Sequence, residues 1–258
     1  MMEEHLRSPE EIVESQLTIV ERTYDSLKWP WLIIMSFSLT QAAKTCFEAS
    51  SKGSNFREFI HFATVPLSIF CIAYLPTFLR YFIGDSRYID LFAHDAKKAV
   101  STARIDVLSR VFSRRRRVAD TLMLVSQGLM FVPLGLSVAN PHHFFWAYLI
   151  LLALNIVWLW FVISCNSPTI REERGTLVIQ HDSDKSPRRW LINNVIHLIL
   201  LLFILLVGDG LNLPDFWKIA LPLVFCFSNS LVDILLTHEF YFPKVQILFH
   251  QFYDEGKK

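Results

Sequence analysis

An all-α, polytopic membrane helix bundle of about six transmembrane helices, with a helical cytosolic extension, follows from three features of this 258-residue chain. Hydrophobic residues make up 52% of it and charged residues only 19%, where a soluble domain carries roughly 25% charged residues. The charges gather in blocks between apolar runs of about twenty residues, the length that crosses a bilayer. Lysine and arginine fall overwhelmingly on one side of those runs.

Residues 1–28 read as a cytosolic amphipathic helix. Ser8 is the N-cap, Pro9 the first helical position, and Glu10 and Glu11 occupy the first turn. Ile12, Val13, Leu17, Val20, Tyr24 and Leu27 then recur at helical spacing. The opposite face is acidic, which favours packing on the protein over docking on anionic lipid. The acidic start also lacks the short apolar core of a removable signal segment.

Spans one and two occupy residues 29–79, as Trp29–Cys46 and Phe59–Leu79. The first is the weaker, because Lys44 lies near its end and must snorkel to the interface. Residues 80–117 follow as a basic cytosolic helical segment. Its stripe of Ile89, Phe92, Ala96, Val100, Ala103, Val107 and Val111 is uninterrupted by glycine or proline and needs a partner, either the N-terminal helix or a second copy in a homo-oligomer. Residues 118–165 hold spans three and four, Val118–Ala139 and Phe144–Cys165. A cytosolic loop at 166–189 is expected to carry a short helix and then a strand-like stretch, Thr176–Gln180. Residues 190–239 hold spans five and six, Trp190–Val207 and Phe216–Leu236, and 240–258 form a cytosolic tail.

All 25 basic residues except Lys44, Lys52, Arg57 and Lys218 lie on one side of these spans. The positive-inside rule makes that side cytosolic, with both termini in the cytosol. A bacterial inner membrane fits this layout.

Polar groups inside spans are costly and mark candidate sites. Asn229, Ser230, Asp233 and Thr237 share one face of span six, and Asn193, Asn194 and His197 occupy the first two turns of span five. Asp120 begins span three and Gln127 lies two turns deeper. With the orientation above, all of these fall in the cytosolic half and line a polar vestibule open to the cytosol. Arg80, Asp85, Arg87 and Asp90 sit at its mouth, where Arg80 is within reach of Asp233. A set of salt bridges capping the bundle is the simpler reading of that mouth, and ligand or ion contact is the functional one. Gly84 either lets the second span continue or breaks it. Arg114, Arg115, Arg116 and Arg117 form a patch for anionic lipid head groups, or for a nucleotide or cytosolic protein.

No zinc spacing, paired-histidine motif, phosphate loop or nucleophile elbow occurs, so neither metal nor cofactor is expected. The four cysteines are far apart in the sequence and read as small apolar residues. The pattern points to an oligomeric channel or pore-like membrane effector. A lipid-head-group enzyme, a small-solute transporter and a membrane scaffold are the alternatives.

Overall fold

The computed structural model describes residues 9–51, 56–90, 114–164, 169–173, 176–180, 185–210 and 213–237. The stripe from Phe92 to Val111 and the tail 240–258 lie outside the described residues. Helix α1 runs Pro9–Ser50 without a break. The amphipathic leader and the first apolar segment are therefore one rod, roughly 63 Å long at 1.5 Å per residue. That is about twice the ~30 Å hydrocarbon core.

Helix α2 comprises Phe56–Ser68, a π-helical stretch Ile69–Tyr74, and Leu75–Asp90. The widened turns are visible in the bond from the Leu75 N–H to the Phe70 carbonyl, five residues back. They end just before Pro76, which has no N–H to give the carbonyl four residues earlier and would crowd it in a regular helix. Gly84 does not interrupt the helix; it is buried within it.

Helix α3 (Arg114–Leu136) and helix α4 (Pro141–Ser164) are joined by a short turn. Asn140 caps α4 by accepting a bond from the His143 N–H at 3.2 Å, with Pro141 at the first helical position, where its missing N–H costs nothing. Strands β1 (Thr169–Glu173) and β2 (Thr176–Gln180) pair antiparallel, with Ile170 opposite Ile179. The strand-like stretch is thus present. The expected short helix is absent from the described part of this loop, where the neighbouring segment supplies the second strand of a hairpin. Helices α5 (Lys185–Gly210) and α6 (Asp215–Leu236) complete the chain's described order.

Among the described residues, five segments are long and apolar enough to cross a membrane: Phe62–Ser86, Val118–Leu136, Pro141–Phe161, Arg188–Gly208 and Asp215–Leu236. The protein is a multi-pass helical bundle. Trp29–Cys46, expected as a further span, lies in the second half of α1, which packs on the spans of α2 and α3.

The helices close a ring. α1 packs on α2 and α3, α3 on α4, α4 on α5, α5 on α6, and α6 returns to α2. Close approach of α1 to α3 depends on small residues, since a Cβ on Gly135 would lie 2.8 Å from the Ser38 carbonyl oxygen. Aromatic rings fill the centre: Tyr74, Phe78 and Phe82 stack along α2, Phe131 of α3 meets Tyr74 and Phe78 edge-on, and Trp31 of α1 stacks on Phe82. Large apolar side chains such as Ile33, Leu122, Val157, Ile199, Phe203 and Val224 point outward, as a lipid-facing surface requires.

Candidate functional site: a buried polar core

The second span was expected to stop at Leu79, leaving Arg80 and Asp85 beyond it. Continuation of α2 through Gly84 instead carries both side chains into the ring, where Arg80 is 0% and Asp85 4% exposed. Arg87 and Asp90 lie in the last turn of α2. Arg114, Arg115, Arg116 and Arg117 form the first turn of α3.

Arg80 organises the interior. Its Nε donates to Asp233 Oδ2 of α6 at 2.6 Å, and its Nη2 donates to Asn194 Oδ1 of α5 at 2.8 Å. The guanidinium carbon lies 5.0 Å from the Tyr81 ring centre and 5.8 Å from that of Trp190, so two π faces cover the cation where hydrogen bonds do not. A planar, forked donor can bond two helices at once while stacking, which a lysine cannot do.

A second set of bonds ties α4, α5 and α6. Asn193 Nδ2 donates to Asn229 Oδ1 at 2.8 Å and to the Asn229 carbonyl at 3.1 Å, and Asn229 Nδ2 donates to Tyr148 Oη at 3.0 Å. Thr77 and Ser230 hydroxyls meet at 3.2 Å between α2 and α6. Thr237 turns its hydroxyl back to the Asp233 carbonyl at 2.7 Å, closing the end of α6. His197 places one ring nitrogen 2.9 Å from the Asn193 carbonyl and the other 3.0 Å from Ser228 Oγ.

Asp120 is fully buried and links three helices. Tyr24 of α1 donates to its Oδ2 at 3.0 Å, and Trp158 of α4 donates to its Oδ1 at 3.2 Å. Trp158 then meets Trp190 edge to face, so the Asp120 cluster touches the Arg80 cluster through two indoles. Gln127 Nε2 donates to Asn155 Oδ1 at 3.2 Å, one more link between α3 and α4.

These groups occupy one half of the ring, near the end where α2 finishes and α3 begins. Along α2 the polar stretch from Tyr74 to Asp85 covers about 16 Å. Its inner limit is Ser38, which bonds Tyr74 Oη at 2.8 Å and donates to the Phe131 carbonyl. The other half is packed with Ala42, Cys46, Val138, Phe144 and Phe145. Among the described residues no three of histidine, cysteine, aspartate or glutamate converge as a metal site would require.

The expected residues Arg80, Asp233, Asn194, Asn193, Asn229, Ser230, Thr237 and His197 are brought together. Asp120 and Gln127 stand to one side, on the α1–α3–α4 seam. All are buried against protein rather than exposed along an open vestibule. Thr77, Tyr148, Asn155, Trp158, Ser228 and Tyr24 join the network although the sequence did not single them out for it. Asn155, a lone amide in an apolar run, carried a usable signal. Tyr148 and Tyr24 did not, since their rings fit the apolar pattern and only their hydroxyls are polar.

No family model, curated protein or solved structure matches the chain.

Proposed function

We propose that the protein is a channel-like ion path running inside a single ring of six helices. Its polar half faces the cytosol and its apolar half is the barrier. The observation that carries this reading is the convergence of polar side chains from α2, α4, α5 and α6 around the Arg80–Asp233 pair, with a second buried polar group from α1, α3 and α4 beside it. A charge placed inside a bilayer costs about 2.5–3.5 kcal/mol even on lenient scales. Replacing a buried ion pair by packed apolar groups is often neutral or stabilising. A chain that retains the pair is using its polarity. In this reading the mutually bonded core is the closed state, and an aliphatic and aromatic constriction beyond Ser38 excludes water until the helices part.

The distribution of lysine and arginine supports a cytosolic position for the polar half, with both termini cytosolic in a bacterial-type inner membrane. The first turn of α3, Arg114–Arg117, then lies level with anionic head groups. A nucleotide or cytosolic protein acting on the basic segment 80–117 is the gating partner this layout favours. A homo-oligomer joined through the stripe at 89–111 would gather several such rings.

The test is ion flux into liposomes. Wild-type protein passes ions once activated, and Asp233→Ala and Asn229→Leu change the rate. A well-inserted wild-type protein that passes nothing under any condition defeats the reading. Mass measurement of the solubilised particle separates a path within one chain from a pore between copies, because a conducting monomer leaves only the former.

A further inference from the structure

The bonds of the core leave a set of buried polar atoms over, and these lie at one level. Among the described residues, Trp31 Nε1, Tyr81 Oη, Asp85 Oδ2, Asn155 Nδ2 and Asn194 Nδ2 are buried and make no hydrogen bond. Tyr81 and Asp85 are four residues apart and share a face of α2. Trp31 of α1 stacks on Phe82, in the same turn, with ring centres 5.3 Å apart. Asn194 of α5 accepts from the Arg80 guanidinium through its Oδ1, which leaves its amide nitrogen over. Asn155 of α4 likewise accepts through its Oδ1, from Gln127 of α3. Gln127 adjoins Gly128, where a Cβ would lie 3.6 Å from the indole Cδ1 of Trp31. From Arg80 to Asp85 α2 rises only about 7.5 Å, so four helices bring these atoms to one layer.

Native interiors leave only a few polar atoms per hundred residues unsatisfied, because each costs its desolvation. Such atoms from four helices in one layer call for a common partner. A metal cation needs a shell of oxygen acceptors. Here a single carboxyl oxygen stands among an indole N–H and two amide nitrogens, which only donate, and a phenol. An anion would suit those donors but not the Asp85 carboxyl beside them. Water both donates and accepts, and a buried water bonds about three groups at once. Gly128 supplies room for it: a methyl group there would make ordinary contacts with Trp31 and Ile34, so the bare backbone leaves a space of that size at the edge of the indole.

We infer that this level of the bundle is a hydrated layer, in which ordered water bonds Trp31, Tyr81, Asp85, Asn155 and Asn194 and so bridges α1, α2, α4 and α5. The layer adjoins the Arg80–Asp233 pair and stops short of the apolar constriction beyond Ser38. With the polar half already wet, only the apolar half has to take up water for a path to form. That role rests on the ion-path reading, whereas the water itself requires only the bonded core.

Radiolytic hydroxyl-radical labelling of the full-length protein in liposomes, read by mass spectrometry, provides the test, because radicals formed from a bound water oxidise the side chains that hold it. Trp31 and Tyr81, each 2% exposed, should be oxidised several-fold faster than Trp158 and Tyr74. Those two are 6% and 0% exposed, and their polar atoms are bonded within the protein. Gly128→Ala, which fills the space at the indole, should slow oxidation of Trp31 and leave that of Tyr81 unchanged. Protection of Trp31 and Tyr81 to the level of Trp158 and Tyr74 overturns the layer. So does oxidation of all four at one high rate, which would mean that bulk water reaches the whole interior. Should Gly128→Ala fail to insert, the wild-type rates decide. Labelling as expected without ion flux leaves the layer standing and removes the ion path, and flux through a protein whose Trp31 and Tyr81 stay protected does the reverse.

Discussion

Arg80 couples three helices through one side chain, so its removal affects more than one contact. Arg80→Ala leaves Asp233 buried without its cation, a loss of about 3–5 kcal/mol by the behaviour of broken buried pairs. Unfolding in detergent should show that loss, whereas Arg80→Met combined with Asp233→Leu should recover most of it. Equal damage from the single and double changes would mean that the packing of the side chains matters and their charges do not. The amide bridge is worth less. Interhelical hydrogen bonds in membranes average about 0.6 kcal/mol, so Asn193→Leu should lower stability by that order. Its effect and that of Asn229→Leu should not add, because they share the same bond.

At the scale of elements, the π-helical stretch of α2 sits between the polar and apolar halves of the ring. A π-bulge accommodates one extra residue within a helix. Deleting Cys71, which is exposed inside that stretch, should therefore restore regular α-helix while keeping Arg80 opposite Asp233. Deleting Leu67, in the regular part before the stretch, removes a residue where there is none to spare. It turns one side of α2 by about 100° against the other. The first variant should retain the Arg80–Asp233 coupling in a double-mutant cycle and the second should lose it. The α1–α3 seam allows a different test. Gly135→Leu pushes a side chain into the Ser38 backbone and should cost about 1–3 kcal/mol, read as a lower unfolding midpoint.

For the whole molecule, the placement of the polar half can be tested with single cysteines. Substitutions at Asn193 and Asp233 should react with a membrane-impermeant thiol reagent only from the cytosolic side, and more readily once the core is opened. Reaction from the outside alone reverses the orientation. The bundle architecture was legible in the sequence because bilayer crossing demands long apolar runs, whatever those runs pack against. Five of the expected segments recur as helices able to cross a membrane, displaced mainly at their ends. The shift in α2 is the instructive one. Charge density at Arg80, Asp85 and Arg87 marks a span end only if those charges reach water, and Arg80 and Asp85 reach protein instead.

Sequence by itself determined the helical class and the positions of the polar groups along each span, since each depends on composition along single helices. Hydrophobic length and helical period are local properties and need no partner. Tertiary structure decided which polar groups meet. The ring order sets α2 against α6 and α1, so that Arg80 engages Asp233 and Asn194 while the Asp85 Oδ2 is buried without a hydrogen bond among the described residues. No spacing rule carries that information, because the pairing of residues 153 positions apart depends on how six helices share one interior.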